Sequence, residues 1–163
     1  MERADLELLV EYLAAADAKV LDRARTMPDE PWRRALASSH GSLAATVEHL
    51  FATEWTWLER IEGRSPDRLG PPGGATDRDV LAAAWPRVWA GWRAAVAQRA
   101  PEAPVAYRTT AGVAHTTPFA YIVLHVSHHS ATYRGQVAAI QRALGFAPVS
   151  ADLIAHLRRR DGR

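Results

Sequence analysis

The strongest constraint in this sequence is that apolar residues recur at helical spacing in four long stretches, each ended by a break rich in proline or glycine. The first runs from about Arg3 to Arg25, with Leu6, Leu9, Val10, Leu13, Val20 and Leu21 recurring at that spacing, and stops before "TMPDEP". The second opens at "HGSL", where Ser42 can cap the helix, and continues to Glu62 ahead of Gly63. "GRSPDRLGPPGGAT" then reads as a non-helical surface crossover. A third stretch, about Asp77 to Arg99, carries Trp85, Trp89 and Trp92, and Pro86 inside it should kink or divide the helix. Between Pro104 and Thr117, "VAYRTTAGVAHT" alternates around Gly112 as a short hairpin does. The fourth stretch, about Pro118 to Leu144, is followed by "SADLIAHLRRR", a short terminal helix. Four long helices with one long connection predict an all-α four-helix bundle, and 163 residues suit a single domain, 1–163, that buries its own core.

Composition removes several functions. The sequence has no cysteine, so disulfides, thiolate metal sites and cysteine nucleophiles are excluded, and any metal must be held by imidazole and oxygen. The first twenty residues are too charged for a signal peptide and no apolar run approaches bilayer length, which predicts a cytoplasmic protein without a membrane partner. Formal charge is only +2, with much of the excess in the tail "HLRRRDGR", so no nucleic-acid partner is expected.

Three of the seven histidines fall within "LHVSHHSATYRGQV", residues 124 to 137. With each residue turning a helix by roughly 100°, Ile122, Val126, Tyr133, Val137, Ile140 and Leu144 make one core-facing stripe. From its centre His129 lies about 40° away, His125 about 80° and His128 about 140°. His125 and His129 therefore flank the core one turn apart, where two imidazoles can reach one ion, while His128 points elsewhere. An isolated H-x-x-x-H is as readily a core histidine beside a solvated one, so a third ligand is needed. The second helix offers His49, at the edge of a stripe formed by Leu43, Val47, Leu50, Trp57, Leu58 and Ile61. Glu54 projects from that stripe itself and, once buried, requires a partner. Arg134 is the candidate for an ion pair, which is the favoured reading; the other is an acceptor that orients a ligand imidazole. The tryptophans at 55, 57, 85, 89 and 92 read as core or interface residues, because aromatics at helical spacing usually pack.

"SLAATVEHLFATEWTWLERIEG" and "TTPFAYIVLHVSHHSATYRGQVAAIQRALG" resemble the second and fourth helices of the DinB-like proteins, whose fourth helix is commonly histidine-rich and ends in "HRGQ". The hairpin "YRTTAGVAHTTP" and the short terminal helix fit the same pattern, so the resemblance covers nearly the whole chain. It implies an up-down-down-up bundle, often a homodimer, with a divalent metal, usually nickel or zinc, on three histidines. Residue by residue these fall on His49, His125 and His129, the trio that helical phase selects. Two positions depart from the family pattern. Tyr133 precedes "RGQ" where many members have histidine, and His128 stands where many have asparagine.

Three neutral imidazoles leave a metal position open, which is the mark of a catalytic site. A metal there could acidify a bound water for hydrolysis, or bind and deprotonate a thiol cofactor. The resemblance implies the second, since relatives include S-transferases and isomerases that use bacillithiol, mycothiol or glutathione. Two readings stay open at this point. One is a metal-dependent thiol S-transferase acting on a small electrophile or thiol conjugate, or alternatively a hydrolase, with Glu54, His128 and Tyr133 as candidate supporting or acid/base groups. The other is a noncatalytic, stress-linked binding or dimerisation module.

Overall fold

A computed structural model describes residues 1–160 and 162; Asp161 and Arg163, the last part of the charged tail and of the expected 1–163 domain, lie outside the described residues. The elements run α1 Arg3–Thr26, α2 Asp29–Arg33, α3 Leu43–Ile61, α4 Arg78–Gln98, β1 Pro104–Arg108, β2 Ala114–Pro118, α5 Phe119–Ala143 and α6 Leu153–Arg160. The chain is therefore all-α apart from one small hairpin, as its periodicity predicts. Ser42 caps α3 by accepting from the Ala45 amide at 3.1 Å, and Gly63 ends that helix with a φ of 85° that side chains disfavour.

The structure narrows two local expectations. "TMPDEP" does stop α1, but it also starts α2, because Pro28 supplies a fixed extended φ at the cap and Asp29 and Glu30 suit a first turn; α2 buries Trp32. Pro86 does not divide α4, which runs unbroken through it. Its ring lies on the exposed side of the helix, where solvent can serve the carbonyl freed by the missing N–H.

Inter-helix contacts fix the directions. Along α1 and α4, Arg3 donates to the Ala97 carbonyl, Glu11 pairs with Arg93, and Arg78 donates to the Ala24 carbonyl, so the two run antiparallel. Between α3 and α4, Phe51 meets Trp85 and Arg99 donates to the Ile61 carbonyl, a parallel arrangement. His49 meets His129 while Trp57 meets His125, so α3 and α5 are antiparallel. The order is up-down-down-up. Parallel neighbours cannot be joined by a tight turn, which is why a long crossover separates α3 from α4. That crossover is docked on α3: Gly70, at φ 80°, donates to Thr56 Oγ1 at 2.9 Å, and a Cβ on it would lie 2.9 Å from the Ala52 Cβ. One apolar cluster joins all four long helices, centred on Leu6, Leu50, Phe51, Leu81, Trp85, Trp92, Phe119 and Ile122. The hairpin pairs Val105 with Thr117 and leads directly into α5.

Candidate functional site

Where α3 and α5 face each other, imidazole and aromatic rings form a continuous row. From the hairpin inward it runs Tyr107 to Trp57 at 4.9 Å between ring centroids, Trp57 to His125 at 5.2 Å, His125 to His129 at 6.1 Å and His129 to His49 at 5.2 Å. Tyr133 touches both His49 and His129, at 4.4 Å each. The row ends on His40, stacked on His49 at 4.2 Å. Antiparallel pairing of α3 with α5 brings His49 opposite His129, and the i,i+4 spacing places His125 one turn along.

The tightest contact is between His49 Nε2 and His129 Nε2, 3.3 Å apart. Among the described residues His129 Nδ1 and His40 Nε2 are buried without a hydrogen-bond partner. His129 is poorly placed to carry charge. Burial, and then the neighbouring His49, His125 and His40, push His129 down to about 4. Burial followed by His40 lowers His49, and burial followed by Arg60 and His128 lowers His125. His49, His125 and His129 all lean to the neutral form, the state a metal ligand requires.

The expected trio is brought together unequally. His49 and His129 are half-buried and face each other; His125 is exposed and rests edge-on against Trp57. Among the described residues no three histidine, aspartate or glutamate side chains already converge on one point. The pair nevertheless fits a cation, because two imidazole nitrogens at tetrahedral zinc distances stand about 3.3–3.4 Å apart. The His125 ring rests against Trp57, with its centroid 6.1 Å from that of His129. His128 is exposed, on the side that helical phase assigns to it.

Glu54 lies wholly in the core, as its place in the apolar stripe predicts, but its contacts differ from expectation. Its carboxyl accepts from Ser130 Oγ at 2.7 Å and Trp85 Nε1 at 2.8 Å. Arg134 pairs with Asp17 of α1 at 2.9 Å, so the Glu54–Arg134 ion pair is corrected to Asp17–Arg134. Glu54 reaches the histidine helix through Ser130, the residue after His129, rather than through an imidazole. Burial, followed by the adjacent Asp17, raises Glu54 well above the usual carboxylate range. Asp17 Oδ2 has no partner among the described residues, and the same burial raises Asp17 as well.

The DinB family model matches residues 1–161 of this sequence. The chain belongs to the DinB family. A search of curated proteins finds no match. Among the described residues no helix is long and apolar enough to cross a membrane. In this DinB-family chain three residues at or near the row escape the sequence reading. Asp17 continues the spacing of Leu13 and Val20 and was visible as a charge on an apolar stripe. Arg60 precedes the buried Ile61, a weaker signal. His40 lies in the loop before α3, where no periodicity could place it. Trp57, read as packing, does pack against the core, and its half-buried ring also walls the row.

Proposed function

We propose that this protein is an enzyme that uses a divalent ion, zinc or nickel, held by His49, His125 and His129, to activate a low-molecular-weight thiol for transfer to a small electrophile. The observation that carries this reading is the His49–His129 contact. Two imidazoles that both favour the neutral state face each other nitrogen to nitrogen at 3.3 Å, the edge length of a tetrahedral ligand set. His125 supplies the third donor from an exposed position, where a change of rotamer is fast. A divalent ion so bound would supply the charge that holds a thiol as its thiolate.

The residues themselves do the rest. Tyr133 and Trp57 cover the two flanks of the imidazoles and limit water. Beside His40 and His49, a cavity of about 250 Å³ under the crossover gives a small molecule access. Bacillithiol, mycothiol and glutathione are the candidate thiols, and a homodimer is the assembly expected by the same family reasoning.

Metal analysis of protein purified without a histidine tag tests the reading. About one divalent ion per chain is expected, with a gain in Tm on loading. A chain that takes up neither zinc nor nickel and gains no stability from them would sink it and leave the noncatalytic module. A thiol screen against chloro-dinitrobenzene then separates transferase from hydrolase.

A further inference from the structure

Among the described residues Arg60 is a cation without an anion. Its side chain projects from the last turn of α3 and the residue is 6% exposed, yet Nε is buried with no acceptor. Among the described residues no carboxylate or carbonyl is paired with any of its nitrogens. The nearest acids in sequence are committed elsewhere: Glu59 and Glu62 both hold Arg64, the former at 2.5 Å. Even the Ile61 carbonyl is taken, by Arg99.

Aromatic rings account for only part of this. The guanidinium carbon lies 4.6 Å from the Trp57 ring centroid and 5.4 Å from that of Tyr107. Rings stabilise the faces of a guanidinium, whereas its five N–H donors project from the edge and need acceptors. The Nε–H is the donor recorded as shielded and unmet, and such a donor is costly unless something else meets it. Trp57 also carries His125 on its edge, so Arg60 and the third histidine share one aromatic wall. Beyond Tyr107 a groove of about 540 Å³ opens along the hairpin, lined in part by Arg108 and His115 and by no acidic side chain.

We propose that Arg60, held over Trp57 and Tyr107 beside His125, is an anion subsite that binds the carboxylate of a small-molecule ligand whose reactive end lies at the histidines. Its rigid fork matches the two oxygens of a carboxylate, which lysine cannot reproduce. The inference rests on the proposed function for what happens at the reactive end, although Arg60 needs no metal to bind an anion. The carboxylate belongs either to the thiol or to the electrophile.

The test compares acid with methyl ester in two arms on metal-loaded full-length protein. One arm titrates 3-mercaptopropionate and its ester; the other uses 4-chloro-3-nitrobenzoate and its ester with a neutral thiol. Wild type should favour the acid at least about tenfold in one arm, which identifies the source. Arg60→Met, and equally Arg60→Lys if the first variant folds poorly, should bring that preference close to parity. The Arg60 Nε–H resonance should shift with the acid and not with the ester. Equal binding of acid and ester in both arms, or an undiminished preference in both variants, would overturn the subsite. If the protein takes up no metal but propionate still moves the Arg60 resonance, the subsite stands and the metal reading alone falls.

Discussion

Two polar clusters lie side by side between α3 and α5, and they solve the problem of polar atoms in different ways. In the first, Glu54 accepts from Ser130 and Trp85 and Asp17 holds Arg134, which leaves Asp17 Oδ2 without a partner among the described residues beside a carboxyl that burial raises. In the second, where His129 adjoins Ser130 on α5 and His49 lies five residues before Glu54 on α3, His129 Nδ1 and His40 Nε2 have no partner among the described residues, and the Nε2 atoms of His49 and His129 meet at 3.3 Å. The carboxyl cluster ties α1, α3, α4 and α5 together through its bonds. The histidine cluster keeps two buried nitrogens unpartnered among the described residues, and it is there that the proposed ligand would bind. Natural cores tolerate unmet polar groups chiefly where function uses them.

That contrast breaks most visibly at Asp17. Asp17→Ala strands Arg134 in the core and should cost about 3–5 kcal/mol in denaturant-derived stability. Metal stoichiometry in whatever folds should be unchanged. A small loss would show that the pair is hydrated rather than closed.

At the histidine cluster the order should invert. His49→Ala and His129→Ala should each abolish stoichiometric metal uptake while altering metal-free stability little. His125→Ala should weaken uptake strongly, and His128→Ala should leave it near wild type. Calorimetric titration with zinc checks all four, and retention by His125→Ala with loss by His128→Ala would reverse the helical phase.

Glu54→Gln sharpens the comparison further. An amide imitates a protonated carboxyl, so at neutral pH the variant should lie within about 1 kcal/mol of wild type or above it. The sign with pH follows from the raised folded value of Glu54. Unfolded Glu54 ionises near its ordinary pKa while the folded group keeps its proton, so wild type loses stability as pH rises above that value. The advantage of Glu54→Gln should therefore grow from mildly acidic to neutral pH. Urea midpoints across that range measure it, and a flat difference would mean that Glu54 is ionised in the core.

The smallest effect concerns His129 in metal-free protein. Its folded pKa is depressed to about 4, so its contribution is intact above the ordinary histidine value of about 6.5. It is lost as pH falls from there through about 4, since the unfolded chain takes up the proton first. His129→Phe should flatten that part of the stability profile, and an unchanged slope would assign the loss to other groups.

Much of this was legible in the residues. Helical spacing places α1, α3, α4 and α5 within a residue or two of their observed ends, and it ranks the burial of His129 above His125 and His128 correctly. Glu54 announces its burial by standing among Leu50, Leu58 and Ile61. Less was legible at the breaks, where "TMPDEP" signals a stop and a start with the same residues, and at Pro86, whose exposed face spares α4.

What the sequence by itself determined is the number, phase and polarity of the helices, hence which side chains each helix turns inward, because helical periodicity is a property of neighbours in the chain. What only the tertiary structure decided is who meets whom. Arg134 could serve Glu54 or Asp17, and the approach of α1 to α5 gives it to Asp17. His40 could lie anywhere until its loop stacks it on His49. Among the described residues Arg60 is left without a counter-charge while Glu59 and Glu62 both turn to Arg64 and Trp57 and Tyr107 lie against its guanidinium. Such pairings depend on distances of a few ångströms between elements far apart in sequence, and no local pattern encodes them.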